Sequence, residues 1–142
     1  MSPAEEILQP EAMNEQSRLE ESLHYLMINV LVDSLESQGF SVCADHVGDL
    51  RRSPAPVGGF TPDVEARRKN EVRLIEVRTE STLGLPETRD LLAGLAAEYP
   101  GDVCLAVPFD CMEAAEELRQ DLDLGFTILP CYPFVGYIGL PK

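Results

Sequence analysis

Pro62-Asp63, followed by the strand-like run Val72-Arg73-Leu74-Ile75-Glu76-Val77-Arg78-Thr79, is the stretch on which the reading of this chain turns. From Phe60 to Thr79, both flanks of Lys69-Asn70 alternate or are rich in β-formers, which predicts two strands joined by a turn at that dipeptide. With Lys69 and Asn70 as the turn, Asp63 faces Glu76, and opposite residues of an antiparallel pair hold their Cβ atoms roughly 5 Å apart. Period-two alternation puts Thr61, Asp63, Glu76 and Arg78 on one face and Val64, Ile75 and Val77 on the other. Lys-Asn is not a favoured two-residue turn, and a single bulge would take Asp63 off that face.

Two carboxylates set face to face repel unless a cation neutralises them. A hard divalent ion suits such a pair: Mg2+ takes one or two protein carboxylates, keeps waters, and completes its octahedron with phosphate oxygens. A metal so held activates water and clamps a phosphoryl group. The plainer alternative is that Asp63 and Glu76 are strand-end acids paired with Arg78, Arg73 or Arg67.

Upstream of the hairpin, Leu19, Leu23, Leu26, Met27, Val30, Leu31 and Leu35 recur at helical spacing from Arg18 to Gln38, and Gly39 follows as a stop. Phe40-Ser41-Val42-Cys43-Ala44 reads as a first strand, and residues 47–59, with Pro54, Pro56, Gly58 and Gly59, as a loop. Downstream, residues 87–99 form a helical pattern with Leu91, Leu92, Leu95 and Ala96 inward, closed by Pro100-Gly101. Residues 102–109 read as a strand whose unbroken apolar centre, Val103 to Val107, predicts burial on both faces. Asp110 is placed to cap a helix from Met112 to Leu122 with Ala115 and Leu118 inward. Phe126-Thr127-Ile128-Leu129 is a last strand, reached by a second strand-helix-strand crossover. This order predicts an α/β fold in three layers, a central mixed sheet of about five strands flanked by helices. The tail from Pro130, with Tyr132, Phe134 and Tyr137, is expected to cover a sheet edge or meet a partner.

With 142 residues and 44% hydrophobic content the chain carries one core without staples, so residues 15–142 read as a single domain. Residues 1–14 are acidic, contain two prolines, and read as a disordered arm and not as a secretory leader. No run reaches membrane-spanning length. Cys43, Cys104, Cys111 and Cys131 show neither Cys-x-x-Cys spacing nor a nearby histidine, which reads as reduced structural thiols in a cytoplasmic protein. His24 and His46 have no ligand-spaced companion and read as structural or surface residues. Glycine-rich phosphate loops, internal repeats and serine-centred nucleophile motifs are absent from the sequence.

The net charge of -14 opposes binding to a polyanion. Its distribution softens that objection, because Arg51, Arg52, Arg67, Arg68, Lys69, Arg73 and Arg78 outnumber the acids between Arg51 and Arg78. A basic loop and hairpin tip beside the acid pair can lead a phosphate chain in, or can be simple solvated surface. Phe60 is the only aromatic residue near the motif, which gives base stacking little to work with.

Phe60-Thr61-Pro62-Asp63-Val64 and Leu74-Ile75-Glu76-Val77-Arg78-Thr79 together resemble the signature of the PD-(D/E)XK nuclease superfamily, nearest to its archaeal Holliday-junction-resolvase and restriction-endonuclease-like members. Motif and topology cover most of residues 18–131. The resemblance implies a core of helix, three meandering strands, helix and strand. It also implies Asp63 and Glu76 as ligands of Mg2+ or Mn2+, a first-helix acid matched by Glu20 or Glu21, DNA as substrate, and a homodimer. Glu20 lies nearer the apolar arc of its helix and is the better match. Where the family usually carries lysine, this chain has Arg78. A guanidinium is effectively never deprotonated and cannot act as a base, although it grips phosphate bidentately and stabilises negative charge. Two functions follow. In a metal-dependent nuclease, Asp63 and Glu76 hold the metal, Glu20 assists, and Arg78 stabilises the scissile phosphate. In the alternative the fold has lost catalysis and is a binding or regulatory module. A third, blander reading is an acidic α/β protein whose motif match is accidental.

Overall fold

Apolar residues spaced for a helix give way to two-residue alternation near Ser41, and the backbone follows that change of period. The computed structural model describes residues 3–44, 53–132 and 137–138. Its elements are α1 (Pro3–Ser37), β1 (Ser41–Ala44), β2 (Val64–Arg68), β3 (Glu71–Val77), α2 (Glu80–Leu83), α3 (Pro86–Glu98), β4 (Val103–Pro108), a 3-10 turn (Phe109–Cys111), α4 (Met112–Leu122), β5 (Thr127–Tyr132) and β6 (Tyr137–Ile138). The strands form one mixed sheet in the order β1-β2-β3-β4-β5-β6. β1, β2 and β3 are an antiparallel meander; β4 and β5 run parallel to β3, and β6 returns antiparallel. Parallel neighbours need a crossover, and α3 and α4 supply the two.

The hairpin register is the one expected about Lys69-Asn70: Val64 lies opposite Ile75 and Arg68 opposite Glu71, with Lys69 in the left-handed region at φ 53°. Alternation then sorts side chains to two cores. Met27, Ile28, Leu31 and Leu35 of α1 press on Val64, Ala66, Ile75, Val77 and Leu129. On the other face, Leu92, Leu95, Ala115 and Leu118 of α3 and α4 press on Leu74, Val103, Leu105 and Val107. Every residue of β4 is buried, as expected for a strand covered on both faces. Fully burying one such branched side chain contributes about 1.5–3 kcal/mol.

Several boundaries differ from expectation. α1 begins at Pro3 and not near Arg18, so backbone expected as an arm is helical; Ala4, Glu5 and Glu6 are good helix formers, and proline is tolerated in a first turn. α2 was not foreseen; the Thr79 N–H donates to Thr82 Oγ1 (2.9 Å) at its start. Asp110 does not cap α4: it lies within the 3-10 turn, and Cys111 takes the N-cap position. β5 continues through Pro130, which cannot donate to a ladder but sits before β6 begins to pair at Cys131. Through β6, part of the tail covers the β5 edge. The four cysteines are free, and Cys104, Cys111 and Cys131 are buried, with their thiols pushed up to about 11, burial being the largest cause. Among the described residues no helix is long and apolar enough to cross a membrane.

The segment entering β2 is anchored from outside the sheet. Val57 and Phe60 exchange backbone hydrogen bonds of 2.6 and 2.9 Å around Gly58 and Gly59. The Phe60 ring rests on α3 where Gly94 offers no side chain; a Cβ there would lie 2.3 Å from the ring. Gly94→Ala therefore sets a helix-propensity gain of about 1 kcal/mol against overpacking of about 1–3 kcal/mol. We expect a net loss of about 1 kcal/mol in urea unfolding. With Phe60→Ala as background the same change should stabilise; a Gly94→Ala protein more stable than wild type would refute the contact.

Candidate functional site

The hairpin register brings Asp63, at the bend entering β2, against Glu76 in β3 without a bulge. The Asp63 N–H donates to Glu76 Oε1 (3.0 Å), and the Val77 N–H donates to Asp63 Oδ2 (2.9 Å). Glu76 thus accepts from the Asp63 backbone, and Asp63 from the backbone of the residue after Glu76. Arg78, the first residue past β3, turns back so that one nitrogen, Nη1, lies 2.9 Å from Glu76 Oε2 and 3.2 Å from Asp63 Oδ2. Its Nε donates to Thr88 Oγ1 (2.8 Å), whose hydroxyl donates to the Thr82 carbonyl (2.7 Å). From the opposite layer, His24 Nε2 of α1 approaches Asp63 Oδ2 at 3.5 Å. Glu76 is 1% exposed, and Thr88, in the first turn of α3, is equally buried.

Burial decides how charge is distributed here. Glu76 is pushed up to about 9, first by burial and then by the Asp63 charge, with Arg78 opposing. Burial also presses Asp63 upward, but His24, the Val77 N–H and Arg78 outweigh it and hold Asp63 below the ordinary carboxylate value. The negative charge therefore resides on Asp63, and Glu76 keeps a proton at neutral pH.

Asp63, Glu76 and Arg78 are brought together as the sequence predicts. Glu20 is not joined to them. It lines a separate recess with Leu23, Glu80, Pro108, Phe109, Asp110 and Cys111, one helical turn from His24. The sequence reading missed His24 and Thr88. Being four residues after Glu20 on α1 was the available signal for His24; Thr88 gave none.

The donor set does not fit a divalent ion as it stands. Asp63 Oδ2 accepts from Arg78 Nη1 and the Val77 N–H, Glu76 Oε1 accepts the Asp63 N–H, and Glu76 Oε2 has the guanidinium 2.9 Å away. Among the described residues no group of three or more acidic, histidine or cysteine side chains is placed to hold a metal.

Of the basic residues expected beside the acid pair, Arg78 joins it, Arg73 stands three residues before Glu76 in β3, and Arg67, Arg68 and Lys69 lie at the hairpin tip. Six residues of extended chain separate Asp63 from Lys69, about 20 Å. Arg67 pairs with Glu65 (2.7 Å) and Arg68 with Glu71 (3.0 Å), while Arg73 lies 3.7 Å from Glu71. Arg68 also stacks over Phe40, 4.3 Å from the ring centroid. Arg51, Arg52 and His46 lie outside the described residues.

Compared with protein-family models, with curated proteins and with solved structures, the chain finds no match.

Because Glu76 holds a proton in the folded chain and loses it near pH 4.3 when unfolded, the unfolded state binds fewer protons from there to about 9. Stability should fall as pH rises through that interval. Asp63 acts in acid: it adds stability above its unfolded value that is lost as pH falls through its lowered folded value. Glu76→Gln, which imitates the neutral carboxyl, should gain on wild type steadily between about pH 5 and pH 9 in urea titrations; parallel curves would place the proton elsewhere.

Proposed function

We propose that this chain is a nuclease-like α/β domain that acts as a binding or regulatory module and does not cut phosphodiesters. The observation that carries the proposal is Arg78 Nη1 held between Asp63 and Glu76. In a metal-dependent nuclease that space belongs to the cation. Here a tethered guanidinium takes it, pinned by Thr88 on one side and the acid pair on the other, and it cannot give up a proton to serve as a base. The kinship with nucleases rests on the Pro62-Asp63 and Glu76-Val77-Arg78 motif, and the order helix, three strands, helix, strand supports it. The retained acid pair is then part of the architecture. The hairpin tip favours the same reading, since Arg67 pairs with Glu65 and Arg68 with Glu71, and Lys69 stands about 20 Å from Asp63.

A thermal-melt titration with Mg2+ and Mn2+ tests this, because a ligand of the native state raises the midpoint by mass action. Wild type should show no saturable shift. Arg78→Ala should lose about 3 kcal/mol by stranding buried acids and should acquire a metal-dependent rise in midpoint. A saturable wild-type shift that Asp63→Asn abolishes, together with metal-dependent cleavage of duplex DNA, would establish the hydrolytic reading instead.

A further inference from the structure

At the carboxyl ends of the parallel strands the chain's own guanidinium closes the acid pair. The amino ends are open. A hollow of about 330 Å3 lies where β3, β4 and β5 begin, and no residue of α1 lines it. Its size reaches the roughly 300 Å3 at which small-molecule sites start.

Register decides what faces this hollow. Leu74 lies beside Val103, and Cys104 beside Thr127. The alternation that buries Leu74 and Val103 against α3 therefore gathers Arg73, Asp102, Cys104 and Thr127 on the opposite face. Arg73 and Asp102 are neighbours across a parallel pair, the Leu74 N–H donating to the Asp102 carbonyl (2.9 Å), and opposite charges so placed favour pairing. Here they stay apart. The Arg73 guanidinium leans toward Phe40, 5.5 Å from the ring centroid, and toward Glu71 at 3.7 Å, beyond ordinary hydrogen-bond length. Asp102, half-buried, forms no ion pair or side-chain hydrogen bond among the described residues, and neither does the Thr127 hydroxyl.

We propose that this hollow binds a free α-amino acid, its carboxylate on Arg73 and its ammonium on Asp102 and the Thr127 hydroxyl. Charge selects the ligand. Glu71 is already matched by Arg68 at 3.0 Å, which leaves one guanidinium and one carboxylate to be met. A phosphate would be repelled by Asp102 and a simple cation by Arg73, whereas a zwitterion satisfies both. Cys104, 4% exposed, lies in the floor; burial pushes its thiol up to about 11, so it packs against the ligand without attacking it. The inference goes beyond the non-catalytic reading and does not rest on it. A metal response at Asp63 and Glu76 would leave the amino-acid result standing.

Thermal melts of the full chain with each standard L-amino acid, added singly at millimolar concentration, provide the first test, followed by calorimetric titration of those that raise the midpoint. At least one should bind saturably. Its N-acetyl and its carboxamide derivatives, each lacking one of the two charges, should bind ~10-fold more weakly or worse. Asp102→Asn and Arg73→Gln should each weaken binding of the parent amino acid by a similar factor. Glu117→Gln, an exposed acid on α4 outside the hollow, should change it about twofold or less. Melts without ligand establish that each variant folds, and the two derivatives carry the test on the unaltered chain if Arg73→Gln does not. Absence of any saturable response, derivatives that bind as well as the parent, or an Asp102→Asn protein with wild-type affinity overturns the proposal.

Discussion

A glutamate carboxyl 1% exposed in an interior strand is the constraint on which the rest of this domain depends. Moving a carboxylate out of water costs several kcal/mol even after the surroundings relax. The chain meets that cost in two ways at once. Glu76 keeps a proton, and Arg78 stands within 2.9 Å to stabilise what charge remains on the pair. Asp63 carries the charge, held by an N–H, the guanidinium and His24. These contacts tie α1, the entry to β2, the end of β3 and, through Thr88, the start of α3. Loss of Arg78 therefore removes the link to α3 through Thr88 as well as exposing the two acids to each other.

Such a cluster specifies more than it stabilises. Buried ion pairs are often replaceable by apolar residues without loss, yet removing one partner is severe. Their use here is in register. Slipping β2 by one residue against β3 would turn its side chains to the opposite face and would carry Asp63 away from both Glu76 and Arg78. Lys69-Asn70 is a weak turn, with a lysine at φ 53° where glycine would sit without strain. The turn alone does not fix the pairing; the charges at the other end of the hairpin do.

That division explains what was legible in the sequence. Two strands about a central dipeptide and the continuous run from Val103 to Val107 carry their own periodicity, so register, burial and layer order could be read directly. The acid pair followed from the register. His24 and Thr88 could not be read in the same way, because each contributes one polar atom from a helix whose apolar pattern is about packing and says nothing of the charge it will meet. The start of α1 was missed because acid-rich, proline-containing sequence serves an arm and a helix alike. The basic tip was misplaced for a geometric reason: residues close in sequence are far apart when the chain between them is extended, and β2 and β3 carry the tip about 20 Å from Asp63.

The same geometry gives the domain two chemically different ends. Asp63, Glu76, Glu20, Glu80 and Asp110 gather where β3 and β4 finish, while Arg67, Arg68, Lys69 and Arg73 gather where β3 begins. A separation of about 20 Å exceeds the screening length of about 8 Å at physiological ionic strength, so a partner at one end feels little of the other, and the net charge of the whole chain decides less than the local one. In open α/β sheets the carboxyl ends of the strands are where ligands bind. In a metal site the neutralising cation at that end is exchangeable, and its arrival can be coupled to a substrate. The Arg78 guanidinium is part of the chain and never leaves, so compensation of the Asp63 and Glu76 pair becomes a permanent property of the fold. What is permanent cannot report the presence of a ligand.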